Sequence, residues 1–78
     1  MITVRYFAAA AEAAGVDTEQ VPAGTGEAVR AELVRRHGAS LDRVLARCAL
    51  LTDGRRLSPD DTLSPGGTLD VLPPFAGG

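Results

Sequence analysis

Two stretches near opposite ends of the chain alternate apolar with polar residues, and the longest helical pattern lies between them. Ile2, Val4 and Tyr6 alternate with Thr3 and Arg5, while Leu69 and Val71 alternate with Thr68 and Asp70. A period of two puts the apolar members on one face, so each stretch reads as a half-buried strand. Residues 27–37 keep a different rhythm: Val29 and Leu33 fall four apart on one face, with Arg30 and Arg35 turned elsewhere. Thr25 is a good N-cap for that helix, and Glu27 sits in the first turn, where the helix dipole favours an acid. Arg35, Arg36 and His37 followed by Gly38 mark the other end, with cations in the last turn and a glycine beyond it.

Shorter segments complete the order. Residues 8–14 are alanine-rich around Glu12 and stop at Gly15, which predicts a short helix. Residues 18–21, closed by Pro22, predict a second strand, and Leu41, Val44 and Leu45 predict one more helical piece behind Ser40. Residues 48–52 read as an apolar strand, and Asp53-Gly54 as the hairpin turn that leads into residues 55–57. Ser58-Pro59-Asp60-Asp61 reads as a capped single turn, while Pro65-Gly66-Gly67 puts proline and glycine in type II turn positions. A mixed sheet with one main helix on one face buries this pattern with short connections. A right-handed crossover then lets the first and last strands lie side by side. The expected fold is α+β: the β-grasp, or ubiquitin-like, arrangement with short extra helical turns.

With 78 residues, the expected organisation is a single domain over residues 1–78, of which residues 73–78 form an extended C-terminal tail. A domain of this size buries only about 60% of the surface that its unfolded form exposes. Nearly all of the hydrophobic residues, 45% of the chain, are therefore needed for one core. Little remains to line an internal catalytic pocket, so function is expected on the surface, at a terminus or with a partner. Ten acids against eight bases give a net charge of −2, which argues against nucleic-acid and anionic-membrane partners. Every base is an arginine. Cys48 is the single cysteine, which excludes a disulfide framework and suits a reducing, cytoplasmic compartment. The N-terminus lacks a basic and then apolar leader, and no apolar run approaches the roughly 18 residues of a membrane span.

None of the conventional catalytic residue types stands in a productive pattern. His37 is the lone histidine and sits where a helix C-terminus favours a cation. Cys48, with no histidine or cysteine nearby to activate it, reads as a small core residue. Asp60 and Asp61 are successive turn residues that do not point at one site. Gly24-Thr25-Gly26 lacks the third glycine and the lysine of a phosphate cradle and reads as a helix start. No bound cofactor or metal is expected.

The C-terminal segment differs. Phe75 is a costly residue to leave in water beyond the last strand, and Pro73 and Pro74 stiffen the exit in an extended direction. Gly77 and Gly78 carry no side chains, so an extended tail can enter a channel too narrow for other residues. At about 3.3–3.6 Å per residue, residues 73–78 could reach roughly 20 Å into a partner. With no residue after Gly78, the α-carboxylate is the expected reactive group. Strand parity adds a second signal. If Ile2, Val4 and Tyr6 face the core, Phe7 faces outward; if Leu69 and Val71 do, so does Leu72. Phe7 and Leu72 should then cluster at the edge where the tail emerges, as an apolar docking face.

The predicted fold and the ending Leu72-Pro73-Pro74-Phe75-Ala76-Gly77-Gly78 resemble the MoaD/ThiS sulfur-carrier family, which includes the small subunit of molybdopterin synthase. The resemblance covers essentially the whole chain, and its most specific part is the Pro-Pro-x-x-Gly-Gly terminus after a strand. It implies that Gly78 is adenylated by an E1-like, ATP-using partner and then becomes a thiocarboxylate. It implies further that a large synthase subunit, in a heterotetramer with the small one, takes Gly77 and Ala76 into its channel, with Phe75, Pro74 and Pro73 at the mouth. Phe7 and Leu72 would pack on that subunit, and the sulfur would pass to a pyranopterin precursor of the molybdenum cofactor. In such a family the chain is no enzyme on its own. Thr52-Asp53 and Pro65-Gly66-Gly67 depart from turns common there, Val-Asn and Asp-Gly-Asp. Carriers for thiamin, cysteine or tRNA thiolation use the same tail chemistry, and a ubiquitin-like modifier would instead join Gly78 to lysines of other proteins.

Overall fold

In a computed structural model that describes residues 1–74, both alternating segments are strands and lie at the centre of one sheet. β1 (Ile2–Tyr6) pairs antiparallel with β2 (Thr18–Val21) on one side and parallel with β7 (Thr68–Leu72) on the other. β7 in turn pairs antiparallel with β4 (Ala49–Thr52), whose hairpin partner is β5 (Arg55–Arg56), giving the order β2-β1-β7-β4-β5. Asp53 and Gly54 both have positive φ, 53° and 76°, the conformation that a two-residue hairpin of this twist requires. The mixed sheet and the parallel pairing of first and last strands are the β-grasp arrangement expected from the sequence.

The helices cover one face. α1 (Ala9–Ala14) buries Ala10 and Ala14, α2 (Gly26–His37) buries Val29 and Leu33, and α3 (Ala39–Leu45) buries Leu41 and Leu45. They meet Ile2, Val4, Tyr6, Val21, Leu69 and Val71 in a single cluster. Thr25 caps α2 by accepting a hydrogen bond from the Ala28 N–H at 3.1 Å. The Pro65-Gly66-Gly67 turn closes with the Gly67 N–H donating to the Ser64 carbonyl at 3.0 Å.

One pairing has no counterpart in the sequence reading. β3 (Gly24–Thr25) pairs antiparallel with β6 (Thr62–Leu63) in a separate two-stranded sheet. It draws the 58–61 loop over the start of α2, where the Gly26 N–H donates to the Asp61 carbonyl at 2.7 Å and the Glu27 N–H to that of Pro59 at 3.0 Å. Asp61 also accepts from the Ser58 N–H, so this turn is capped as expected, from its last residue. Small boundary shifts accompany this: Cys48 precedes β4, and Leu57 lies beyond β5.

The sequence also gave no sign of a polar cluster at the β2 edge. Glu19 has the parity of Val21, so its side chain lies on the helix-covered face. There it accepts from the Tyr6 hydroxyl, contacts His37 Nε2 at 2.5 Å, and meets Arg36 at 3.3 Å. His37 is therefore a partner of the sheet, beyond its place at a helix terminus. Burial pushes the Glu19 carboxyl up, but the hydrogen bonds from Tyr6 and His37 outweigh it and hold the group below its usual range. Burial and the Glu19 carboxylate together push the Tyr6 phenol well above its ordinary value of 10.0. A raised acid favours the folded state while neutral, so its contribution is present below about pH 10 and is lost as pH rises further. Tyr6 is the only tyrosine and there is no tryptophan, so ultraviolet absorbance follows this one group. Tyrosinate should appear only together with alkaline unfolding, as followed by circular dichroism; ionisation near pH 10 in a still-folded chain would contradict the arrangement.

Candidate functional site

The C-terminal ends of β1 and β7 lie side by side because these strands run parallel, with Tyr6 opposite Val71. Phe7 and Leu72 are the next residues along these two strands. Phe7 is 38% exposed, one of few large apolar side chains that open to solvent among the described residues. Its N–H donates to the Val71 carbonyl at 3.2 Å, which ties it to β7. Leu72 differs from expectation in degree: it is half-buried. Ala49 of β4 lies opposite it, and Arg47, Cys48 and Arg56 share its concavity.

The face away from the helices holds Phe7 in place through charge. Arg5 and Asp70 are register partners across β1 and β7, and their side chains form a two-pronged pair at 2.6 and 2.8 Å. The Arg5 guanidinium then sits 5.9 Å from the centre of the Phe7 ring, a cation over an aromatic face. Immediately after Phe7 the chain reverses at Ala8, a non-glycine residue with φ of 51°. Such a conformation costs on the order of 1–3 kcal/mol and persists only where the surroundings enforce it. Phe7 is thus fixed from both sides, by the sheet before it and by a strained turn into α1 after it.

Beyond β7 the chain passes through Pro73, half-buried, and Pro74, exposed. Two concavities flank these prolines. One, of about 640 Å³, is lined by Ala9, Arg43, Val44, Ala46 and Arg47 together with both prolines. The other, of about 350 Å³, lies on the β4 side and contains Leu72. Both are open at the surface, and neither brings together an acid, a base and a nucleophile. Phe75, Ala76, Gly77 and Gly78, the remaining site residues expected from the sequence, lie outside the described residues.

The other candidates fall away from this edge or remain chemically quiet. Cys48 is half-buried, and burial raises its thiol above the ordinary value, which disfavours the reactive thiolate. Among the described residues no group of three His, Cys, Asp or Glu side chains could hold a metal ion, and no helix is long and apolar enough to cross a membrane. The site reduces to an apolar edge, an exit stiffened by two prolines, and the segment that follows.

Known proteins share this arrangement over almost their full length. A Chlamydomonas reinhardtii protein, the molybdopterin synthase sulfur carrier subunit, is 33% identical over 82 residues, covering 99% of this chain and 98% of its own. The small archaeal modifier protein SAMP1 of Haloferax volcanii superposes with a TM-score of 0.83 at 26% identity, covering 99% of this chain and 98% of its own. A Pyrococcus furiosus protein assigned as molybdopterin converting factor, subunit 1, gives a TM-score of 0.82 at 28% identity, covering 95% and 97%. The family model of ThiS proteins matches residues 4–78, from the first strand through the segment that leaves the last one. Sheet order, the proline exit and this end-to-end match agree, and the chain belongs to the ThiS family.

Proposed function

We propose that this chain is a sulfur carrier of molybdenum cofactor biosynthesis, the small subunit of a molybdopterin synthase. The observation that carries the reading is the match to the Chlamydomonas sulfur carrier subunit over 99% of this chain and 98% of that one. In this role the Gly78 carboxylate attacks the α-phosphate of ATP on an E1-like adenylyltransferase, releasing pyrophosphate and leaving an acyl adenylate. A sulfide-level sulfur donor then attacks the acyl carbon, the C–S bond forming as the C–O bond to AMP breaks, so the glycine ends as a thiocarboxylate with no change of oxidation state. The large synthase subunit takes Ala76, Gly77 and Gly78 into its channel, with Phe75, Pro74 and Pro73 at the mouth. The thiocarboxylate sulfur bonds to a pyranopterin precursor, and hydrolysis of the resulting acyl–sulfur bond leaves the sulfur there and returns the Gly78 carboxylate. A carboxylate is a poor acyl donor, so the adenylate supplies the leaving group that it lacks. Holding the thiocarboxylate in the channel supplies proximity. The chain itself needs no catalytic side chain and no bound cofactor, since ATP is consumed by its partner.

Phe7, Leu72 and Pro73 form the apolar surface that packs against the large subunit around the tail. Replacing Phe7 with Asp should weaken that binding about tenfold or more, as expected for an aromatic anchor, while the thermal midpoint moves little because the ring is already partly in water. Titration calorimetry and a melting curve measure the two effects; a collapse of stability would show Phe7 to be core instead.

The test of the carrier reading is intact-mass measurement after incubation with an E1-like partner, ATP and a sulfur donor. A mass gain equal to the exchange of one oxygen for sulfur supports it, and an unreactive Gly78 overturns it. A second reading is favoured by the likeness to the small archaeal modifier protein: conjugation of Gly78 to lysines of other proteins. Its signature is a covalent adduct that survives thiols and boiling. The chain has no lysine, so it cannot itself be extended into lysine-linked polymers.

A further inference from the structure

Five of the eight arginines are tied to carboxylates: Arg5 to Asp70, Arg30 to Asp42, Arg35 and Arg36 to Glu32, and Arg55 to Asp61. The other three, Arg43, Arg47 and Arg56, are exposed and have no carboxylate partner among the described residues. They arise in different places: Arg43 in the last turn of α3, Arg47 in the link to β4, and Arg56 on β5. The fold nevertheless brings all three to the point where the chain leaves the sheet. Arg43 and Arg47 line the concavity on one side of Pro73 and Pro74, and Arg47 and Arg56 line the concavity on the other. No acidic residue lines either one among the described residues.

Bland explanations reach only part of this. The dipole of α3 favours a cation at Arg43, but β5 offers no such field to Arg56. Scarcity of anions does not explain it either, because acids outnumber bases ten to eight. Arg43 and Arg47 line one concavity with no anion beside them among the described residues. The missing counter-charge is best supplied from outside. A polyphosphate is the poorer source, since the chain as a whole is acidic. Val44 shares the first concavity with Arg43 and Arg47, Leu72 shares the second with Arg47 and Arg56, and Pro73 lines both, so apolar and cationic groups mix as they do in a protein interface.

We propose that Arg43, Arg47 and Arg56 form a cationic collar that docks on a carboxylate-rich rim around the channel into which the large synthase subunit takes residues 76–78. The proposal rests on the carrier reading for the identity of that partner, and adds the chemistry of the partner's rim. The collar steers the approach and sets the orientation, while the apolar groups and the tail hold the complex.

The test measures association of the full chain with two purified partners, the E1-like enzyme and the large synthase subunit. Changing all three arginines to Glu should slow association with the large synthase subunit by about tenfold or more at low ionic strength, and should flatten its salt dependence, whereas an effect confined to the E1-like enzyme would overturn the proposal. The corresponding triple Lys variant should keep most of the rate, and Arg35→Glu with Arg55→Glu should have little effect, since these arginines lie away from the tail exit. Melting curves confirm that each variant is folded. Unchanged rates and salt slopes in the triple Glu variant would overturn the collar; if the unaltered chain still gains sulfur, the carrier reading stands without it. Failure of the unaltered chain to gain sulfur or to bind either partner would remove both. Two other results would also overturn the collar: binding of single-stranded RNA that depends on the three arginines, or movement of their guanidinium resonances when the chain's own terminus is amidated.

Discussion

Removing Gly77 and Gly78 should lower sulfur loading by at least about a hundredfold and leave the thermal midpoint unchanged. The two effects separate because the groups responsible are separate. Every buried hydrophobic side chain among the described residues lies between Ile2 and Val71, and the last strand ends at Leu72. The truncated chain therefore keeps its sheet and its core. Its carboxylate, however, sits on Ala76 and falls short by about 7 Å, two extended residues. A displacement of about 1 Å between reacting groups can cost a hundredfold in rate, so a shift of this size should leave no useful reaction. Intact mass after incubation with the activating enzyme, ATP and a sulfur donor gives the loading. Full loading of the truncated chain would mean that the tail is not the carrier.

The largest effect on stability is expected from a methyl group added at Gly26. This glycine is buried at the start of α2, beneath the 58–61 loop. A Cβ there would lie 2.5 Å from the Ser58 carbonyl oxygen and 3.1 Å from the Leu57 side chain. Leu57 can rotate away, but a backbone oxygen cannot, so the loop must lift. Overpacking costs about 1–3 kcal/mol, and lifting the loop also weakens the hydrogen bonds from Gly26 and Glu27, each contributing about 0.5–1.5 kcal/mol. Alanine offsets this by at most about 1 kcal/mol through its better helix propensity. Gly26→Ala should therefore destabilise by about 2 kcal/mol, a fall of roughly 8–16 °C in the midpoint for a domain of this size. Glu27→Ala, one residue on and exposed, should move it far less. A midpoint that holds or rises in Gly26→Ala would show that the loop yields freely.

Gly26 also shows where sequence reasoning stops. The N-cap Thr25, the glycine stops and the alternation of β1 and β7 are local signals, and each was legible. β3 and β6 are two residues long, too short for alternation to register, so their pairing and the close approach at Gly26 were not. Nothing local marks Glu19 within the four residues of β2; only the long-range meeting of β2 with the end of α2 reveals its partners. Phe7 was legible through parity. Leu72 had the right parity, but its half-burial depends on the neighbouring β4 and on Arg47 and Arg56, which parity does not report. The gathering of Arg43, Arg47 and Arg56 at one exit likewise depends on three elements that are remote in sequence.

The position of β7 has a consequence for how the chain comes into being. The pairs β1–β2 and β4–β5 share no hydrogen-bonded edge; β7 alone joins them. Chains are synthesised from the N-terminus, so the piece that unites the sheet emerges last, and it is the same piece that carries the tail. A chain interrupted before residue 68 has two unjoined hairpins and no tail, and a chain that has not closed its sheet has a tail without the edge formed by Phe7 and Leu72. In the proposed role, a terminus offered beside Phe7 and Leu72 would certify that folding is finished. An activating enzyme that grips the edge and the tail together would spend ATP only on completed molecules.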